Sequence, residues 1–201
     1  MNKIFEKKFI QGDFVIYDDE PKIINLKSVR QTHSDIILLE NECQNSNQEA
    51  DGLIYSIKNL EDNKLAIAIK TADCLPILYL SETHVALVHA GWRGVEQKIH
   101  LHPKLLAIAP LEIFIAPSIG VNSFEVQEDF KAHFKESSHF INKSGKLYFD
   151  LVKEAQGQLS LCFPDTKITN SGICTFENNQ YNSYRRDKTS KRNWNIFQTR
   201  G

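Results

Sequence analysis

Residues 65–94 read LAIAIKTADCLPILYLSETHVALVHAGWRG. Three apolar runs, Leu65–Lys70, Leu75–Leu80 and Val85–His89, stand there almost back to back. Runs of Ala, Ile, Leu and Val that carry no polar alternation read as strands buried on both faces. Further strand-like runs lie outward in both directions, at Phe14–Tyr17, Asp35–Leu39 and Glu112–Ala116, with a weaker one at Ile168–Thr169. Helical periodicity is clear in two places. Phe124–Lys135 sets Phe124, Val126, Phe130 and Phe134 among charged residues. Leu151, Ala155 and Leu159 recur at i, i+4 and i+8 behind Asp150, which suits the N-cap, and Pro164 closes the pattern. Strands outnumber helices and come in clusters, so the predicted fold class is α+β: a sandwich on mixed sheet rather than a regular βαβ array.

The chain has 201 residues, 41% hydrophobic and 24% charged, which is an ordinary globular mix. Residues 1–201 are expected to form one domain, with neither internal repeat nor low-complexity linker. The 24 Lys+Arg and 25 Asp+Glu give a net charge of −1, so no global field draws the chain toward nucleic acid or an anionic membrane. The N-terminal stretch shows no signal-peptide pattern, and apolar runs such as Leu65–Ile69 are too short to span a bilayer. A cytoplasmic protein is expected. Cys43, Cys74, Cys162 and Cys174 form no C-x-x-C pair and read as free thiols.

Polar residues interrupt the apolar strands at three places: Gln31–Asp35 (QTHSD), Thr71–Pro76 (TADCLP) and His89–Gly94 (HAGWRG). Strand ends are where sites are commonly built, because a rigid element holds the side chain and the following loop leaves space. The segments offer His33, Cys74 and His89. Two imidazoles and a thiolate suit Zn²⁺, and three protein ligands leave a fourth position for water, as at catalytic zinc. Asp73 adjoins Cys74 as an acid/base or supporting partner. The separations of 41 and 15 residues match no compact zinc motif, so a buried thiol beside two hydrogen-bonded histidines is the competing reading. In HAGWRG, Gly91 and Gly94 allow unusual backbone or close approach of a ligand. Arg93 suits either an anion or a structural salt bridge. From Tyr181 to Gly201 six Lys/Arg face one acid, Asp187, with Tyr181, Tyr184, Trp194 and Phe197 interleaved. That segment suits a phosphate-binding corner or a solvated basic face better than RNA binding, since no nucleic-acid motif frames it. His100 and His102 read as an exposed pair on a loop before Pro103.

Taken together, QTHSDII, EADGLIY, TADCLPILYL, VALVHAGWRG, APSIGVNSFEV and NSYRRDKTSKR follow one another from about Gln31 to Arg192. In that order they resemble the YfiH family, also called the laccase-domain or multicopper polyphenol oxidase family. The resemblance implies an α/β sandwich of mixed β-sheets, similar to a bacterial toxin domain. It implies one metal site formed by His33, Cys74 and His89, with zinc as cofactor and copper possible in its place. It implies a purine nucleoside enzyme, acting by phosphorolysis of adenosine, inosine, guanosine or methylthioadenosine and by adenosine deamination. The partners are then small molecules, a purine nucleoside and phosphate, with neither nucleic acid nor membrane, and a monomer or small homo-oligomer is expected. Cys74, His89 and Asp73 are the candidate catalytic residues, and Gln31, Arg93, Tyr184, Arg185 and Arg186 the candidates for substrate and phosphate.

Family members usually begin with a longer segment carrying T-T-R-x-G-G-V-S and S-L-N-L stretches. Residues 1–30 here form a short, atypical N-terminus in which Ile24-Asn25-Leu26 is the one faint trace. The Ala-rich helix usual after HAGWRG is shortened to Val95–Leu101, and Asn122-Ser123-Phe124 stands where Cys-Cys-Tyr is usual. Two other functions use the same residues. In a cysteine hydrolase or amidase acting in peptidoglycan-precursor editing, Cys74 is the nucleophile, His89 the base and Asp73 or Gln31 the orienting group. A copper polyphenol oxidase needs about ten His for four coppers, and the chain has seven.

Overall fold

The computed structural model describes residues 1–200. In chain order the strands begin with β1 (Lys3–Lys8), β2 (Asp13–Tyr17), β3 (Leu26–Lys27), β4 (Ile37–Leu39) and β5 (Gly52–Ser56). Helix α1 (Ile57–Asp62) leads to β6 (Ala66–Thr71), β7 (Leu75–Leu80) and β8 (His84–Ala90). Helices α2 (Trp92–Glu96) and α3 (Pro103–Ala107) precede β9 (Glu112–Ile115), β10 (Glu125–Val126), β11 (Phe140–Lys143) and β12 (Lys146–Phe149). The chain continues through α4 (Leu151–Cys162), β13 (Lys167–Asn170), α5 (Tyr184–Asp187) and β14 (Asn193–Gln198).

Two mixed sheets stack face to face. The first has the order β1-β2-β14-β6-β3 and the second β13-β9-β7-β8-β5-β4. Alternation along each strand sends its residues into two cores. Leu53, Leu78, Leu87 and Phe114 of the second sheet meet Phe14, Ile16, Ile67, Ile69 and Phe197 of the first. Their neighbours Ile54, Ile77, Val88 and Ile113 face the other way, onto Val95, Ile99, Leu151, Ala155 and Leu159 of the helical layer. Every residue of β7 is buried, because both of its faces are covered. The α+β sandwich of mixed sheets is the architecture expected from the sequence.

Helix α4 starts as expected: the Asp150 side chain accepts from Lys153 N at 3.0 Å, satisfying an N–H that the first turn leaves free. The expected helix over 124–135 does not form. Glu125–Val126 pairs with β12 instead, and a 3₁₀ helix covers Glu128–His133. The two-residue step from Phe124 to Val126 is a strand spacing, and the rings converge on one point rather than along a helix face. Phe134 and Phe140 lie 4.7 and 4.6 Å from the Phe149 ring, and Phe130 5.5 Å. His100 is also not on an exposed loop. It lies in a 3₁₀ turn at 0% exposure, where burial holds its imidazole down at about 4, while His102 caps α3 by accepting from Lys104 N. The His100/His102 pair therefore cannot chelate as a unit. All four cysteines are free.

The Phe149 cluster outweighs the Asp150 cap in this region. Phe149→Ala is expected to lower the stability by about 3–5 kcal/mol, and Asp150→Ala by about 1 kcal/mol. Urea unfolding followed by circular dichroism measures both, and the reverse order would show that the cap, not ring packing, fixes this layer.

Candidate metal centre

The register of the second sheet brings distant residues to one end of four adjacent strands. In the β7/β8 hairpin Leu75 pairs with Ala90 and Pro76 with His89, so Cys74, just before β7, comes level with the end of β8. In the β5/β8 pair Gly52 meets Val88, and one step on His89 N donates to Asp51 O at 2.7 Å. Strand β4 runs parallel to β5, so the His33 loop, which leads into β4, arrives at the same end. The 41- and 15-residue separations are thus the outcome of strand pairing.

One ligand atom from each of His33, Cys74 and His89 lies within 4.8 Å of the others. Cys74 Sγ stands 3.9 Å from His33 Nε2, and the two imidazole rings are 4.8 Å apart, nearly perpendicular. His89 is buried at 4% exposure, whereas His33 is exposed, so the cluster opens on one side.

Asp51, which sequence reading passed over, organises the cluster. It is 0% exposed. One oxygen accepts from His89 Nδ1 at 2.7 Å. The other accepts from Ser34 N at 2.6 Å, Ser34 Oγ at 2.7 Å and Thr32 N at 3.2 Å. His33 takes φ 59°, the left-handed conformation that lets the amides on either side converge on that oxygen. With Nδ1 committed to Asp51, His89 presents Nε2 to Cys74. The signal in the sequence was the acid of EADGLIY, directly ahead of an apolar strand.

Burial pushes the Cys74 thiol up, but the His89 imidazolium and contacts with both histidines outweigh it and bring the thiol down to about 6. Burial pushes His89 down, yet the Cys74 thiolate and Asp51 raise it to about 9. Asp51 is held below the usual carboxylate range: burial raises it, and the bonds from His89 and Ser34 more than offset that.

The residues fit a metal. Tetrahedral Zn²⁺ would hold a thiolate and an imidazole nitrogen about 3.6 Å apart, close to the 3.9 Å seen between Cys74 and His33. Gly91 leaves the space. A Cβ there would sit 3.1 Å from Cys74 Sγ and 3.1 Å from His33 Cδ2, while its φ of −70° asks for no glycine. Gly91 therefore serves the close approach of these two side chains rather than backbone freedom. Among the described residues this is the one group of three or more His, Cys, Asp or Glu side chains close enough to share an ion.

Two cavities flank the triad. One, of about 420 Å³, is lined by Trp92, Phe124, Ile119 and Leu151 with Arg93, Arg185 and Tyr184. Arg93 lies over Trp92 at 4.3 Å and Arg185 over Phe124 at 5.3 Å. Arg93 makes no salt bridge among the described residues. The other, of about 440 Å³, is polar and is lined by Gln31, Lys70, Thr71, Tyr184 and Arg192. Tyr184, 53% exposed, borders both.

Three of the expected residues are engaged by protein groups. Asp73 is engaged by Thr175 Oγ1 at 2.7 Å, Ser183 Oγ at 3.0 Å and Arg185 N at 2.7 Å. It fastens the C-terminal segment over the site. Gln31 spends its amide on Lys70, accepting from its N–H and donating to its carbonyl, both at 2.7 Å. Arg186 has all five N–H groups engaged, by the carbonyls of Thr175, Phe176 and Tyr181 and by Asp187, and none is left for phosphate.

The family model for multi-copper polyphenol oxidoreductase laccase matches residues 20–198. A purine nucleoside phosphorylase of Aquifex aeolicus is 32% identical over 170 residues, covering 81% of this chain and 77% of that protein. The purine nucleoside phosphorylase YfiH of Escherichia coli is 36% identical over 137 residues, which are 62% of this chain and 56% of that protein. The crystal structure of Neisseria meningitidis protein NMB0706, of family DUF152, superposes with a TM-score of 0.74 at 27% identity, covering 89% of this chain and 76% of that one.

Two substitutions test the centre without touching a ligand. Asp51→Asn is expected to weaken zinc binding about 10–100-fold, and Gly91→Ala to do so while leaving the far-UV circular dichroism intact. Competition with a chromophoric chelator measures both; wild-type affinity in either variant would remove that residue from the site.

Proposed function

This chain belongs to the multi-copper polyphenol oxidoreductase laccase family, and within it we propose a purine nucleoside phosphorylase with one zinc held by His33, Cys74 and His89. The observation that carries the reading is the three-ligand cluster opening beside a cavity walled by Trp92, Phe124 and Leu151. Flat apolar and aromatic walls suit a purine base, and the charged and hydroxyl-bearing rim suits the ribose. The names of the Aquifex and Escherichia relatives support the same substrate class. Adenosine, inosine, guanosine and methylthioadenosine are the proposed substrates.

Phosphorolysis breaks the bond from ribose C1′ to the purine nitrogen and forms a C1′–O bond to phosphate. The proton given up by phosphate ends on the released purine. Zinc supplies Lewis acidity and an open coordination position. The chain supplies orientation: Trp92 and Phe124 hold the base, and Tyr184 closes the exposed side. Asp51 fixes His89, and Asp73 fixes the segment that carries Tyr184 and Arg185. Adenosine deamination needs a carboxylate free to shuttle protons. Asp51 and Asp73 both spend their oxygens on hydrogen bonds, which favours phosphorolysis.

A polyphenol oxidase with four coppers is disfavoured by ligand count, since seven His in the chain fall short of about ten. The basic C-terminal segment is largely consumed internally. Arg186 grips backbone carbonyls, Arg200 bonds Asp13, and Asn193–Gln198 is an inner strand, which disfavours an RNA-binding tail. No helix among the described residues is long and apolar enough to cross a membrane. The aligned Cys74, His89 and Asp51 do favour one second reading, a cysteine hydrolase in which Asp51, not Asp73 or Gln31, orients the base. The zinc reading takes precedence because that chemistry has no use for His33 against the thiolate.

Zinc-loaded protein incubated with adenosine is expected to release adenine and ribose 1-phosphate only when phosphate is present. Cys74→Ser should lower the rate at least about 100-fold, and chelation should abolish it. Chromatography of the products decides: inosine would establish deamination, and activity that survives chelation but not loss of Cys74 would establish the hydrolase.

A further inference from the structure

The cavity lined by Gln31 and Thr71 holds two cations, Lys70 and Arg192, that make no ion pair among the described residues. Lys70 sits on β6 directly across from Trp194 on β14, and its Nζ lies 5.3 Å from that ring. Its backbone is fixed by β14 on one side and by the Gln31 amide on the other. The Nζ is half-buried and has no hydrogen bond or ion pair among the described residues. Burial and the neighbouring Arg192 lower its affinity for the proton, and Glu20, too far for an ion pair, offsets this in part. Arg192 spends one nitrogen, Nη1, on the carbonyls of Thr189 and Lys191, leaving Nε and Nη2 without a protein partner. Arg30, the third cation of this cavity, is already paired with Glu49. Two half-buried like charges side by side are unfavourable unless an anion joins them.

The adjoining cavity has Trp92 and Phe124 in its lining, which this one lacks. Its cations are laid on aromatic faces: Arg93 on Trp92, Arg185 on Phe124 and Lys188 on Tyr184. Arg185 Nη1 also donates to the Glu125 carbonyl. That wall suits a base, whereas the wall carrying Lys70 and Arg192 offers, apart from Tyr184, no aromatic face for one.

We propose that Lys70 and Arg192 form a phosphate subsite in the cavity that adjoins the aromatic one and shares His33, Cys74 and Tyr184 with it. The proposal rests on the phosphorylase reading and deepens it. Nucleoside and phosphate then occupy adjoining cavities and meet beside the triad, where both cavities are lined by His33 and Cys74. Lys70 was not a phosphate candidate from the sequence, because it lies inside a strand run; Arg192 belonged to the basic C-terminal segment read as a phosphate-binding corner but was not singled out.

The test uses zinc-loaded wild type, Lys70→Met and Arg192→Gln, with inorganic phosphate as the probe. Methionine keeps an apolar stem over Trp194, and Arg192 lies at the surface end of β14, so the two variants stress the fold differently. Two readouts are taken: quenching of Trp194 fluorescence by phosphate, and the KM for phosphate against that for adenosine. Wild type should bind phosphate saturably. Each variant should weaken that binding and raise the phosphate KM at least about tenfold, with the adenosine KM within about twofold. Saturable phosphate binding that is lost in the variants of a protein inactive on nucleosides would sustain the subsite and overturn the phosphorylase reading. No saturable phosphate binding by wild type, unchanged phosphate binding in both variants, or a rise in the adenosine KM alone would overturn the subsite.

Discussion

The buried carboxylate of Asp51 is the constraint on which the site depends. A charge with no exposure is tolerated only when it is saturated with donors, and Asp51 takes four: His89 Nδ1, the Thr32 and Ser34 amides, and the Ser34 hydroxyl. These donors come from both sides of the triad. One oxygen fixes the tautomer and direction of His89, and the other draws in the loop that carries His33 through its left-handed turn. Cys74 completes the set through the β7/β8 hairpin, whose register places it beside the end of β8. The three side chains of the cluster are thus set by two kinds of interaction: ladder pairing for Cys74 and His89, and one carboxylate for His33.

Asp73 plays the same part for the outer wall. It adopts φ 90°, an uncommon conformation for a residue with a side chain, and is held there by its carbonyl bond from Ile119 N at 2.9 Å and by three donors to its carboxylate. Those donors belong to Thr175, Ser183 and Arg185, more than 100 residues away in sequence. The segment they secure presents Tyr184 and Arg185 to the cavities before the chain re-enters the first sheet as β14. Two adjacent residues, Asp73 and Cys74, therefore divide the labour. The thiol joins the centre and the carboxylate builds its cover.

This division explains what could be read from the sequence and what could not. The apolar runs of β6, β7 and β8 announced themselves because both faces of each strand are buried. Asp150 was legible because a capping bond is local, three residues long. His33, Cys74 and His89 were visible as chemistry-bearing types at strand ends. The role of Asp51 was not, since its partners are set by the pairing of β5 with β8. Gln31 and Arg186 look like ligand-binding residues as letters, yet their partners are backbone groups that only the folded chain supplies. The stretch 124–135 misled because Phe124, Val126, Phe130 and Phe134, spaced two, four and four apart, can be read as a helix face or as a single cluster, and the choice lies with Phe149.

The family name and the ligand set point to different chemistry, and the ligand set carries the physical argument. Electron transfer through several coppers needs several clusters of soft and imidazole ligands held at fixed separations. The described residues bring together one such cluster, open on one side and flanked by two cavities unlike each other. One is lined by Trp92 and Phe124; the other is lined by Lys70 and Arg192, which make no ion pair among the described residues. A one-substrate oxidation has no need of that asymmetry. The proposed displacement, which joins a flat base and a compact anion at one carbon, makes use of it. The difference between the two linings, more than the identity of an ion, is what favours the proposed group transfer over oxidation.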